Sequence, residues 1–294
     1  MTFNEGIQLD PNRVKTSRGG RGAAVGGIGG LIALIIFMFT GVDLSGVLGG
    51  SSTDTASGGT IDLSHCVDAD AANQYVECRM VATAESLDAL WEQALPQQAG
   101  VRYEMPGFTV FEASVNTACG QASSATGPFY CPADQTVYLD VSFFDTLETQ
   151  LGAENAPLAQ EYIVAHEWGH HIQNQLGYMA QVNLRDTGPE SGAVRLELQA
   201  DCLAGMWVRH AASTVDPETG VTFLEPPTRA QLEDALTAAA AVGDDRIQEM
   251  TQGRAFPETF THGTSEQRMR WFATGYEGGT VQSCDTFSVS GADL

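Results

Sequence analysis

Positive charge is scarce in this sequence. Of its 294 residues, 14 are Lys or Arg and 37 are Asp or Glu, for a formal net charge of −23. Lys15 is the only lysine, and Arg13, Lys15, Arg18 and Arg21 put four of the basic residues before residue 22. The chain beyond residue 22 is more acidic still. Such a surface is repelled by phosphate backbones, so no nucleic-acid partner is expected. Cys-x-x-Cys pairs are also missing, which argues against a structural zinc site built of thiolates. No internal repeat is visible.

One long run lacks charge altogether. Residues 22–41 are Gly, Ala, Val, Ile, Leu, Phe, Met and Thr only. About 20 such residues suffice to cross a bilayer as a helix. The basic residues before them favour a cytoplasmic N-terminus. The long basic arm, and the lack of a small-x-small cleavage site close behind, favour an uncleaved anchor over a signal peptide. Residues 42–60 are rich in Gly, Ser and Thr and read as a flexible linker. The expected organisation is therefore a basic cytoplasmic arm over 1–21, a transmembrane helix over 22–41, a linker over 42–60, and one domain over 61–294. That makes a single-pass protein of the cell membrane with its domain outside the cytoplasm. All six cysteines lie beyond the apolar run, as expected for disulfides in an oxidising compartment. The short loops Cys66–Cys78 and Cys119–Cys131 are the economical pairings, leaving Cys202–Cys284.

Within the domain, a helix is expected over Ser86–Leu95, ending before Pro96. Strands are expected at Phe108–Phe111 and Val137–Phe144, where β-branched and aromatic residues lie between turn residues. Pro157 and Gly177 bracket a strong helix. Its Leu158, Tyr162, Ala165, Gly169, Ile172 and Leu176 recur at spacings of four and three and form one buried stripe. Another helix spans about Val194 to His210. Capping boxes at Thr228–Gln231 and Thr264–Gln267 start two more. The order of elements is an α+β pattern.

The chemistry lies on the bracketed helix, in His166-Glu167-Trp168-Gly169-His170. Four residues return to nearly the same helix face, so both imidazoles can grip one metal ion while Glu167 reaches a metal-activated water as general base. Imidazole and carboxylate donors at an open site suit zinc. Glu197 and Asp201 are one turn apart on the next helix. Glu197 is the candidate third ligand, and Asp201 can accept the second ring N–H of a ligating histidine. His262, just before a capped helix, is a candidate oxyanion donor. Tyr178 is a weaker one, read mainly as packing. His171 points away from the ligand face and reads as a surface or packing residue. His65 and His210 read as structural, and Arg268 and Arg270 as helix surface charges.

Several segments together carry a resemblance. These are Gly127–Pro132, Val137–Asp140, His166–Ile172, Glu197–Gly205 and His262–Arg268, which together span most of residues 66–285. On them the chain resembles the family of putative neutral zinc metallopeptidases, bacterial membrane-anchored proteins. The resemblance implies a zincin-like, gluzincin-type core with a small antiparallel or mixed sheet and a helical active centre, preceded by one transmembrane helix. It also implies His166, His170 and Glu197 as zinc ligands and a peptide or protein substrate, with strand Val137–Val141 beside the cleft. The expected activity is zinc-dependent peptide hydrolysis. The alternative is a non-catalytic envelope scaffold that holds zinc, although a structural ion has no need of the base Glu167.

Overall fold

A computed structural model describes residues 1–18 and 61–294. The expected transmembrane helix and linker lie outside the described residues. Among the described residues, no helix is long and apolar enough to cross a membrane.

The architecture is α+β. Strand β1 (Lys15–Arg18) precedes helices α1 (Ala69–Gln74) and α2 (Val76–Ala99). Strands β2 (Gly107–Glu112), β3 (Ser114–Thr117), β4 (Gly120–Ser123), β5 (Phe129–Cys131) and β6 (Thr136–Asp140) come next. The rest is helical: α3 (Phe143–Thr149), α4 (Pro157–Leu176), α5 (Gly192–Ala211), α6 (Arg229–Ala241), α7 (Asp244–Gln252) and α8 (Ser265–Gly278). The main sheet has the order β1-β2-β6-β5 and is mixed: β1, β2 and β6 are parallel, and the edge strand β5 is antiparallel to β6. Strands β3 and β4 form a separate hairpin.

Local chemistry explains most of these boundaries. Pro157 opens α4 and Gly177 closes it with φ 81°, a left-handed conformation that favours glycine. Both capping boxes form, with the Thr228 and Thr264 hydroxyls accepting from Gln231 and Gln267 amides and the glutamine side chains returning to the cap amides. Three disulfides join Cys66 to Cys78, Cys119 to Cys131 and Cys202 to Cys284.

Two elements differ from expectation. Helix α2 starts ten residues before Ser86 and runs through Pro96. That proline sits in the last turn before Gly100, so little of the helix ladder is lost to its missing N–H. Residues Phe143 and Phe144, expected to end a strand, begin α3 instead and are buried in the main core.

The N-terminal segment differs more. Expected as a separate basic arm, residues 1–18 are part of the folded domain. Met1, Phe3, Ile7, Leu9 and Val14 are buried in the main core. Each such side chain taken out of water contributes about 1.5–3 kcal/mol. Strand β1 then adds to the free side of β2, with Lys15 opposite Thr109 and Arg18 opposite Glu112. Of the charges that suggested an arm, Arg13 is paired within the domain: its Nε donates to Asp88 at 2.5 Å.

Helices α4 and α5 cross in the centre, and α8 packs along α5. The α5–α8 contact is backbone to backbone. A Cβ on Gly275 would stand 1.8 Å from the Cys202 carbonyl oxygen, so only glycine permits this approach.

Candidate metal centre

The site forms where α4 meets α5. Gly169 makes the meeting possible, since a Cβ there would lie 2.9 Å from Ala200 Cα. With the helices this close, Glu197 reaches across to the α4 histidines. Its Oε2 lies 3.3 Å from His166 Nε2 and its Oε1 lies 3.5 Å from His170 Nε2. One ligand-capable atom from each of the three residues lies within 4.8 Å of the others.

The remaining ring nitrogens are engaged from behind. His166 Nδ1 is 2.8 Å from Asp201 Oδ1, and His170 Nδ1 is 2.9 Å from Gln173 Oε1. Gln173 is itself fixed, because its amide nitrogen donates to the Leu196 carbonyl at 2.6 Å. An acceptor facing each Nδ1 keeps the proton there and leaves each Nε2 lone pair for a metal. This donor set of two neutral imidazoles and one carboxylate fits zinc with a position left open.

Asp201 is fully buried and heavily bonded. Arg268 grips it in a fork, Nε to Oδ2 at 2.8 Å and Nη2 to Oδ1 at 2.9 Å, and the Tyr162 hydroxyl donates to Oδ1 at 2.5 Å. Arg268, expected as a helix surface charge, is 3% exposed, because α8 turns this residue inward between α4 and α5. Burial alone would raise the Asp201 pKa, but the Arg268 guanidinium and then His166 hold it below the usual carboxylate range. Burial likewise would lower His166, and the Asp201 carboxylate overrides it and raises the imidazole. Glu197 is held low by the same histidines against its burial. Glu167 moves the other way, with burial raising its carboxyl more than His170 and His166 lower it.

His262 comes to the site from the loop before α8. Asp244 at the start of α7 organises that loop. Its Oδ2 accepts from the Thr261, His262 and Gly263 amides, and its Oδ1 lies 3.1 Å from His262 Nδ1. Asp244 overrides the effect of burial on this imidazole too, and His262 is raised. A cleft opens over the whole group. Its apolar side is lined by Pro128, Phe143, Ile163, Val242 and Ile247, and its other side by Tyr130, His170, Arg185 and Thr261. His166, Glu167, Glu197 and His262 line both sides.

The structure thus brings His166, Glu167, His170, Glu197, Asp201 and His262 together. Tyr178 stays outside the cluster and stacks on Phe287, with ring centroids 5.1 Å apart. His171 is buried between the Tyr130 hydroxyl and the Glu104 carbonyl, a packing role. His210 bonds the Gly279 carbonyl, and His65 sits beside Glu77 near the Cys66–Cys78 bridge. Gln173, Asp244, Tyr162 and Arg268 escaped the sequence reading as site residues. Gln173 carried one local sign, its place three residues after His170.

The family described as "Putative neutral zinc metallopeptidase" matches residues 8–287. The chain belongs to this family. An uncharacterized protein of Mycobacterium tuberculosis is 48% identical over 301 residues, covering the whole of both chains. The uncharacterized protein YpfJ of Escherichia coli is 38% identical over 283 residues, covering 93% of this chain and 92% of its own length. No solved structure matches the chain. Family membership implies zinc, and the two-imidazole, one-carboxylate cluster is the group that could hold it.

Proposed function

We propose that this domain hydrolyses peptide bonds at the His166–His170–Glu197 centre, with Glu167 as general base. The observation that carries the proposal is the convergence of both histidine Nε2 atoms on the Glu197 carboxylate while each Nδ1 is held by an acceptor. Glu167, buried in the same cleft, has no part in gripping a structural ion, and its presence favours chemistry over scaffolding.

Zinc bound there supplies Lewis acidity toward a water and a scissile carbonyl. Every other task falls to the chain. Glu167 takes a proton from the attacking water and delivers it to the leaving amine. Its raised carboxyl pKa makes Glu167 a stronger acceptor of the water proton. His262 is anchored through Nδ1 to Asp244, and its other ring nitrogen is the one that donates to the developing oxyanion. Asp201 and Gln173 fix the tautomers of the two ligating imidazoles. The core is read as gluzincin-like on this arrangement of two helices. Its three disulfides support work in an oxidising compartment, and the uncharged run 22–41 supports placement at a membrane.

The test uses the full chain, because residues 1–18 belong to the fold. Zinc per chain is measured, and cleavage of a mixed peptide library is monitored before chelation, after it, and after zinc is restored. One zinc per chain, with cleavage lost and then recovered, is expected. A zinc-loaded chain that cleaves no peptide faster than the stripped chain would leave the scaffold reading standing.

A further inference from the structure

The uncharged run begins four residues after β1, and the described residues resume at residue 61. A single crossing of the bilayer between these points would place them on opposite sides of about 30 Å of hydrocarbon. The structure puts both on one body. Along its described length, the N-terminal segment is bonded to elements beyond residue 61. Asn4 donates from its amide to the Phe223 carbonyl at 2.9 Å, and Phe3 bridges Leu224. Leu9 donates to the Val67 carbonyl at 3.1 Å, and Asp10 to the Glu85 carboxyl at 2.7 Å. Strand β1 pairs in parallel with β2 over four residues.

Two of these contacts fall on the zinc helix itself. The Met1 amino group lies against the buried Glu161 carboxylate, and the Arg13 guanidinium sits 5.3 Å over the ring of Trp168, between the two histidines. Trp168 in turn donates to the Tyr103 hydroxyl at 2.9 Å, which donates to Asp88, the partner of Arg13. Residues from before the apolar run therefore contact α4 directly, at Glu161 and Trp168.

We infer that residues 1–18 and the catalytic domain occupy the same compartment, on one side of the membrane. The inference reverses the expected cytoplasmic arm. It rests on the fold alone and holds whether or not the site cleaves peptides.

Lys15 provides the test. It is the only lysine and is exposed, so the wild-type chain offers one accessible side-chain amine, located before the run. A Lys15→Arg/Arg229→Lys variant moves that amine into the catalytic domain, at a side chain that is 93% exposed. Lys15→Arg alone measures background from the buried Met1 amino group. Spheroplasts expressing each full-length chain are treated with a membrane-impermeant amine ester, before and after lysis. The same labelling pattern for wild type and double variant is expected, both before lysis or both only after it. Labelling of one in intact spheroplasts and of the other only after lysis would overturn the inference. So would a wild-type chain that stays unlabelled in mild detergent while the double variant reacts, since Lys15 would then not sit on the exposed edge where the docked segment places it.

Discussion

Gly169 touches Ala200 at the point where the two site helices cross. A Cβ at residue 169 would stand 2.9 Å from Ala200 Cα and 3.0 Å from its carbonyl oxygen. Backbone cannot yield as a side-chain tip can, so any side chain here pushes α5 away and takes Glu197 with it. Gly169→Ala is expected to lower stability by about 1–3 kcal/mol, the usual cost of overpacking, and to weaken zinc binding as Glu197 recedes. A zinc competition titration with a thermal melt checks both. Wild-type zinc affinity in this variant would show that the close approach does not set the position of Glu197.

Gln173 tests the support behind the second histidine. Its carbonyl faces His170 Nδ1 at 2.9 Å, and its amide is tied to Leu196. Gln173→Ala is expected to weaken zinc binding by about 10–100-fold, as is typical when a partner behind a metal ligand is lost. Gln173→Glu, which keeps an acceptor facing the ring but loses the donor to the Leu196 carbonyl, should recover only part of it. Equal zinc affinity in wild type and Gln173→Ala would mean that His170 is oriented by something else.

The N-terminal segment makes stability depend on pH. Burial pushes the Glu85 carboxyl up to about 8 against the hydrogen bond it accepts from the Asp10 amide, which lowers it, with the charges of Asp216, Asp10 and Asp88 adding to the rise. An unfolded chain has released this proton above its ordinary value of 4.5, whereas the folded chain keeps it until about 8. Through that window the folded state holds the extra proton. The contribution is therefore complete below the unfolded value and is lost as pH rises through the folded one, by at most about 1.4 kcal/mol per pH unit. Glu161, also raised by burial, acts with the same sign. Urea unfolding of wild type and Glu85→Gln across this range should show a decline in wild type and a flatter profile in the variant. Parallel profiles would remove Glu85 as a source.

The features legible in the sequence were local. The candidate ligands on α4 repeat at a spacing of four between a proline and a glycine, and Glu197 and Asp201 sit one turn apart on the next helix. Period and capping chemistry carry that information without any knowledge of the fold. Asp244 and Arg268 were hidden because each meets its partner across a long sequence gap, Asp244 at His262 and Arg268 at Asp201. Neither helical period nor capping chemistry distinguishes either residue from a solvated charge. The N-terminal segment was missed for a different reason. Its Phe3, Ile7, Leu9 and Val14 keep neither a helical nor a strand period, because the chain passes through isolated bridges, a turn and a single 3-10 turn (Pro11–Arg13) before joining the sheet at β1. The nearby arginines and lysine then matched the charge rule for a membrane entry.

The central claim is that a metal gripped by His166, His170 and Glu197 works with Glu167 as its base. Replacing Glu167 with Gln keeps the side chain's shape and removes its basicity. Zinc content and peptide cleavage, measured together on full-length wild type and Glu167→Gln, test this most directly. Equal zinc in both chains, with cleavage reduced by about 10²–10⁴-fold in the variant, is expected for the loss of a general base. Equal zinc with equal cleavage would contradict the account.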